Sequence, residues 1–79
     1  MSSSPEHVAL GQAIRHLRVA AGLSQQGLAD RSGMHRTYVG GIERGERNVS
    51  LRNLVKLASA LDVRTSELLR LSETLADGR

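Results

Sequence analysis

Apolar residues recur at helical spacing along almost the whole chain. Leu10, Ile14, Leu17 and Ala21 follow one another at intervals that align them on one stripe of an α-helix. Ser4 before Pro5 supplies a cap and a first helical residue for that segment, and Gly22 supplies its left-handed end. Ser24 caps a second, shorter helix running through Ser32, with Leu28 and Ala29 inward and Gly33 stopping it. A third runs from His35 to Arg44 with Val39 and Ile42 inward, and Gly45 ends it. Residues 46–49 form a loop, after which Ser50 caps a fourth helix with the stripe Leu51, Leu54, Leu57, Ala58 and Leu61. A fifth opens at Arg64 or Thr65 and carries Leu68, Leu69, Leu71 and Leu75. No stretch alternates with the period of two that a half-buried strand needs. The pattern predicts an all-α fold of five short helices, with residues 1–3 and 77–79 as frayed ends.

The second and third helices carry a further regularity. Ala29 is small where two crossing helices approach, Gly33 falls in the turn, and the branched Val39 faces back into the core. A left-handed turn residue costs an ordinary side chain ~1–2 kcal/mol and glycine little. These offsets suit two helices crossing steeply through a short turn. Once Val39 and Ile42 are set aside, Arg36, Thr37, Gly40, Gly41 and Arg44 share the outer face of the third helix. Two adjacent glycines cost a helix ~1 kcal/mol each relative to alanine, so something there requires bare backbone. Either a DNA backbone approaches Gly40 and Gly41, or the second helix packs against them. Tyr38, the lone aromatic, either faces DNA or wedges its ring between helices with the hydroxyl at the surface. His35 begins this helix, where it would meet a phosphate.

Charge sharpens the picture. The chain has 79 residues, a net charge of +3 and no cysteine. Ten of its eleven cations are arginine, whose planar fork suits phosphates and guanine edges. Residues 31–56 hold Arg31, Arg36, Arg44, Arg47, Arg52 and Lys56 against only Glu43 and Glu46, while the flanking segments are neutral or acidic. Such a basic middle is either a polyanion-facing surface or a solvated face. Without cysteine there is neither a disulfide framework nor a thiolate metal site. His7, His16 and His35 have no carboxylates at ligand spacing, no nucleophile elbow occurs, and Gly40–Gly45 fits no nucleotide loop. No cofactor, metal or catalytic activity is expected. No apolar run reaches the ~18 residues of a membrane span, and the first ten residues lack the apolar core of a signal peptide. The reading is of a cytoplasmic protein with no membrane partner.

The stretch from Leu10 to Leu69 resembles the Cro/repressor-like (Xre-type) helix-turn-helix family. Leu23-Ser24-Gln25, Leu28-Ala29, Gly33, Ile42-Glu43-Arg44-Gly45 and the run from Leu54 to Val63 carry the resemblance. Within that family, residues 36–48 (RTYVGGIERGERN) are most similar to the controller proteins of restriction–modification systems. The resemblance implies a five-helix repressor-like domain that binds DNA as a dimer and regulates its own gene and that of an endonuclease. It also implies site roles. Gln25 would hold a phosphate, Arg36 and Thr37 would meet base edges, and Arg44, Arg47, Asn48 and Ser50 would grip the backbone. Glu43 would pair with Arg18 in a structural role. Two positions depart from the family: Gly27 replaces a polar helix former and leaves the second helix without a capping box, and Gly40 stands where serine is common.

The expected site is therefore Arg36, Thr37, Tyr38 and Gly41 toward bases, with Gln25, His35, Arg44, Arg47, Asn48 and Ser50 toward the backbone. Leu68, Leu71 and Leu75 repeat at spacings of three and four on the last helix, more apolar surface than a chain end normally exposes. They are expected to form a two-fold dimer with the end of the fourth helix, so that a pseudo-palindromic operator is read. Residues 1–7 would be a tail and the start of the first helix, and 8–70 the DNA-binding domain with its helix-turn-helix at 25–44. Residues 65–79 would form the dimerising helix and a frayed tail. No small-molecule effector domain is expected in 79 residues. Two other readings remain: a phage- or toxin–antitoxin-linked repressor of the same fold, and a protein-interaction adaptor that reads no bases.

Overall fold

Small polar residues start three of the helices in the computed structural model, which describes residues 4–78. The Ser4, Ser24 and Ser50 hydroxyls accept from the backbone N–H of His7, Gly27 and Asn53 at 3.1, 2.9 and 3.1 Å. Each satisfies one of the donors a helix start leaves orphaned. They open α1 (Pro5–Ala20), α2 (Gln25–Ser32) and α4 (Leu51–Ala60). The starts of α3 (Arg36–Glu43) and α5 (Thr65–Asp77) differ. His35 gives no side-chain cap, and at Arg64 the Glu67 carboxylate reaches back to accept from the backbone N–H at 2.7 Å.

Helix ends follow the same local logic. Gly33 turns the chain between α2 and α3 at φ 72°, and Gly45 ends α3 at φ 77°. Around Gly45 the N–H of Glu46 bonds the Gly41 carbonyl and the N–H of Gly45 bonds that of Ile42, both at 2.9 Å, which satisfies two carbonyls in the last turn of α3. The end of α4 uses the same pair of bonds with Asp62 in the left-handed position, at φ 59°. Asp77, expected to fray, is the last residue of α5. The tails expected at residues 1–3 and 79 lie outside the described residues.

The core comprises Ala13, Ile14, Leu28, Ala29, Val39, Ile42, Leu54, Leu57, Ala58, Leu61 and Leu68, drawn from all five helices. Helix α1 packs against both α3 and α5, so it buries a broad face including Ala9, Gly11 and Ala13 rather than one stripe. Ala21 is exposed. At Gly11 the backbone of α1 lies directly on the end of α3: a Cβ there would stand 2.6 Å from the Glu43 carbonyl oxygen and closer still to that of Ile42. That contact fixes where α3 ends relative to α1.

Three apolar expectations need correcting. Leu51, placed on the inward stripe, is 73% exposed, because it occupies the first turn of α4 beyond the reach of its neighbours. Leu68 is 0% exposed, a core residue of its own chain, and Leu71 packs against that core. Leu75, by contrast, is 38% exposed, as expected, and borders a shallow depression with Pro5, Val8 and Ala9 of α1. The stripe expected to seek a second copy is thus largely used to cover α1.

Candidate nucleic-acid interface

Helix α3 projects its first turn outward. Arg36 and Thr37 are exposed, and their side chains make no hydrogen bond or ion pair among the described residues. His35, also exposed, precedes them without capping, so the N–H groups of that turn remain available to an anion. Arg47 and Asn48 are exposed in the loop after Gly45, and the exposed Ser50 begins α4. The residues expected to meet phosphates and bases therefore lie along α3 and the segment that follows it, with Gln25 at the start of α2.

Gly40 and Gly41 are not part of an open face. Both are buried beneath longer side chains. A Cβ at Gly41 would meet Arg47 Cγ at 2.8 Å, so the stem of Arg47 lies across α3 there. A Cβ at Gly40 would lie 3.2 Å from Arg44 Nη1 and 3.6 Å from Gln25 Oε1. Of the two sequence readings, close packing holds for these glycines, although the packed atoms belong to side chains rather than to the α2 backbone. Gly41 is accordingly no bare surface for a base edge.

Tyr38 is half-buried against the core, and its hydroxyl is engaged. It donates to the Asn48 carbonyl at 3.1 Å and accepts from Asn53 Nδ2 at 3.1 Å. The ring packs against the core, as the wedged reading expected, with its hydroxyl bonded within the chain. It braces α3 against the loop and α4. Asn53 was missed in the sequence, since nothing local marks it as Tyr38's partner.

Arg18 and Glu43 meet in a two-pronged pair, Nε to Oε2 at 2.6 Å and Nη2 to Oε1 at 3.1 Å. Their side chains are only 12% and 4% exposed. Arg18 also donates to the Leu23 carbonyl at 2.8 Å, and Gln25 Nε2 donates to Glu43 Oε1 at 3.0 Å. One carboxylate thereby ties the end of α1, the start of α2 and the end of α3. Arg44 forms an exposed pair with Glu46 at 3.1 Å, the kind that contributes ~1 kcal/mol or less.

The basic middle divides in space. Arg36, Arg44 and Arg47 stand on α3 and its loop, whereas Arg31 and Lys56 border a cleft with Ser59 and Ala60. There Arg31 donates to the Ala60 carbonyl at 3.3 Å, at the opposite end of α4 from Ser50, about 15 Å away at helical rise. Among the described residues no helix is long and apolar enough to cross a membrane, and no group of side chains could hold a metal ion.

A family model described as helix-turn-helix matches residues 14–68, which contain α2, its turn and α3. The chain belongs to the helix-turn-helix family. This helix-turn-helix protein is 48% identical over 60 residues to the control protein C.SmaI of Serratia marcescens, covering 76% of this chain and 71% of that one. It is 47% identical over 60 residues to the control protein C.BamHI of Bacillus amyloliquefaciens, covering 75% and 74%. Among solved structures, the restriction-modification controller protein C.AhdI from Aeromonas hydrophila superposes with a TM-score of 0.81 at 57% identity, covering 82% of this chain and 98% of that one. The all-α, five-helix fold and the likeness to controller proteins read from residues 36–48 agree with these findings.

Proposed function

We propose that the protein is a sequence-specific DNA-binding transcriptional regulator, a controller of a restriction–modification system acting on its own gene and on that of the endonuclease. The observation that carries this reading is the free, exposed pair Arg36 and Thr37 on an uncapped α3, flanked by the unpaired Arg47. The similarity to control proteins supports the regulatory context. In this reading Arg36 and Thr37 enter the major groove, while Gln25, His35, Arg44, Arg47, Asn48 and Ser50 hold phosphates. No catalytic step is involved, and the protein acts in the cytoplasm.

Two copies act together. With Leu68 and Leu71 committed to their own chain, the exposed apolar residues left on α4 and α5 are Leu51, Val55, Leu69 and Leu75, and the first three are taken as the partner-facing surface. Val55 and Thr65 border one depression, and Leu51 and Leu69 lie one helical turn from each of them. A two-fold pairing there would set the two α3 helices about 34 Å apart, one turn of DNA. Sedimentation at tens of micromolar should show a dimer; a monomer with and without DNA overturns this part.

Reading and gripping separate in one titration. Arg36→Ala should cost ~1–3 kcal/mol per half-site on the DNA upstream of the gene and little on random duplex. Arg47→Ala should weaken both by similar factors and flatten the salt dependence. Failure to bind either duplex even at low salt would instead make the fold an adaptor.

A further inference from the structure

Glu43 does more than lock α1 to α3. A carboxylate only accepts hydrogen bonds, so the amide of Gln25 must turn its nitrogen toward Glu43, and it does so at 3.0 Å. The amide lies over the bare backbone of Gly40, with its oxygen 3.6 Å and its nitrogen 3.8 Å from where a Cβ would stand. Gln25 is the first residue of α2, and Gly40 and Glu43 are one turn apart on α3. The side chain is therefore seated at one point and oriented at another, both on the recognition helix.

We propose that Glu43 is a positioning residue for DNA contact: it fixes the orientation of the Gln25 amide so that the second Nε2 hydrogen is held ready for a backbone phosphate. The inference rests on the reading that Gln25 faces a phosphate. The orientation matters because a phosphate accepts hydrogen bonds, and a flipped amide would offer it an oxygen. Arg18, bound to Glu43 at both oxygens, offsets the negative charge that a phosphate would otherwise meet beside Gln25. The pair expected from the sequence to be structural thus reaches the DNA surface through a single side chain.

A double-mutant cycle in DNA affinity tests this, with random duplex as the probe, matched salt, and a temperature at which every variant is folded. Gln25→Ala should weaken binding about tenfold, the scale of losing a hydrogen bond to a charged group. In the Glu43→Leu background the same substitution should change affinity by less than about twofold, because no acceptor remains to orient the amide. A tenfold loss in both backgrounds leaves Glu43 a purely structural residue and overturns the proposal while sparing the phosphate role of Gln25. No loss from Gln25→Ala in the unsubstituted protein removes both. If Glu43→Leu does not fold, the unsubstituted protein still decides by NMR. The two side-chain amide protons of Gln25 should be well separated, with only one shifting as duplex is added; equal shifts of both overturn the proposal.

Discussion

Replacing Gly11 by alanine should destabilise the protein, although alanine is the better helix former. Intrinsic propensity alone would favour the variant by ~1 kcal/mol in the middle of α1. The structure opposes this, since the new Cβ would stand 2.6 Å from the Glu43 carbonyl oxygen and 2.8 Å from its carbonyl carbon. Non-bonded contacts settle at about 3.5–4.0 Å, so the end of α3 would have to retreat by roughly an ångström. The obstructing atoms are backbone, anchored by the Gly45 turn and the Arg18–Glu43 pair, and cannot swing aside as a side-chain tip would. Overpacking of this kind costs ~1–3 kcal/mol or more, and a rigid obstacle puts it at the upper end. After the propensity gain, a net loss of about 2 kcal/mol remains, a fall in Tm of roughly 8–16 °C for a domain of this size. Gly27→Ala is the matched control. Its Cβ would find Ser24 Oγ at 3.3 Å, a tight contact but with a side-chain atom that can give by a few tenths of an ångström, and Leu23 Cδ2 at 3.5 Å, so that variant should lose nothing and gain up to ~1 kcal/mol. Thermal melts followed by circular dichroism compare the two directly. Equal or opposite signs would show that α1 and α3 are not held by backbone contact at Gly11.

Arg18→Ala leaves the Glu43 carboxylate, 4% exposed, without its cation and should cost at least ~3 kcal/mol in a chemical melt; a loss under ~1 kcal/mol would mean that the pair is solvated. Asp62→Gly relieves a left-handed residue at φ 59° and should raise Tm by several degrees for about 1 kcal/mol gained, and an unchanged Tm would place the strain elsewhere. Tyr38→Phe removes the hydroxyl that links Asn48 and Asn53, and should lower stability by about 1 kcal/mol while weakening cognate and random duplex by similar factors. A loss confined to the cognate duplex would return Tyr38 to base reading.

Caps and stops were legible because they are local. Ser4, Ser24, Ser50, Gly33 and Gly45 each act within three or four residues of themselves, so their roles could be read without knowing the fold. The side chains facing each helix could not. An apolar stripe tells which side of a helix is oily, not what lies opposite. Leu68 read as surplus only because α1, some fifty positions earlier, was not yet known to sit beneath α5. Leu51 read as core because its spacing matched Leu54 and Leu57, whereas the first turn of α4 overhangs its neighbours. Tyr38 read toward DNA because Arg36 and Thr37 adjoin it in sequence, while the partner that decides its role, Asn53, is fifteen residues away.

The two central glycines of α3 carry that lesson into a last prediction. Bare backbone there suggested that DNA comes close, but the space is occupied by Gln25 and Arg44 at Gly40 and by Arg47 at Gly41. Beyond its first turn the recognition helix thus meets its surroundings through side chains that arrive from α2, from its own C-cap and from the loop. Substitution at Gly41 should therefore act through Arg47. An alanine Cβ would lie 2.8 Å from Arg47 Cγ and 3.2 Å from its Nε, close enough to push the stem off the helix. The displaced arginine is exposed and flexible, so folding is not impeded, and the ~1 kcal/mol of helix propensity should hold or raise Tm. DNA affinity should fall all the same, because the guanidinium no longer sits where a phosphate can meet it. The loss should match that of Arg47→Ala, with the salt slope reduced by about 0.9, and combining the two substitutions should add nothing further. Titrations of both single variants and the double variant on random duplex at several salt concentrations decide it. A Gly41→Ala protein that binds as tightly as the unsubstituted one, or whose loss adds fully to that of Arg47→Ala, would show that the seat at Gly41 does not position Arg47 for DNA.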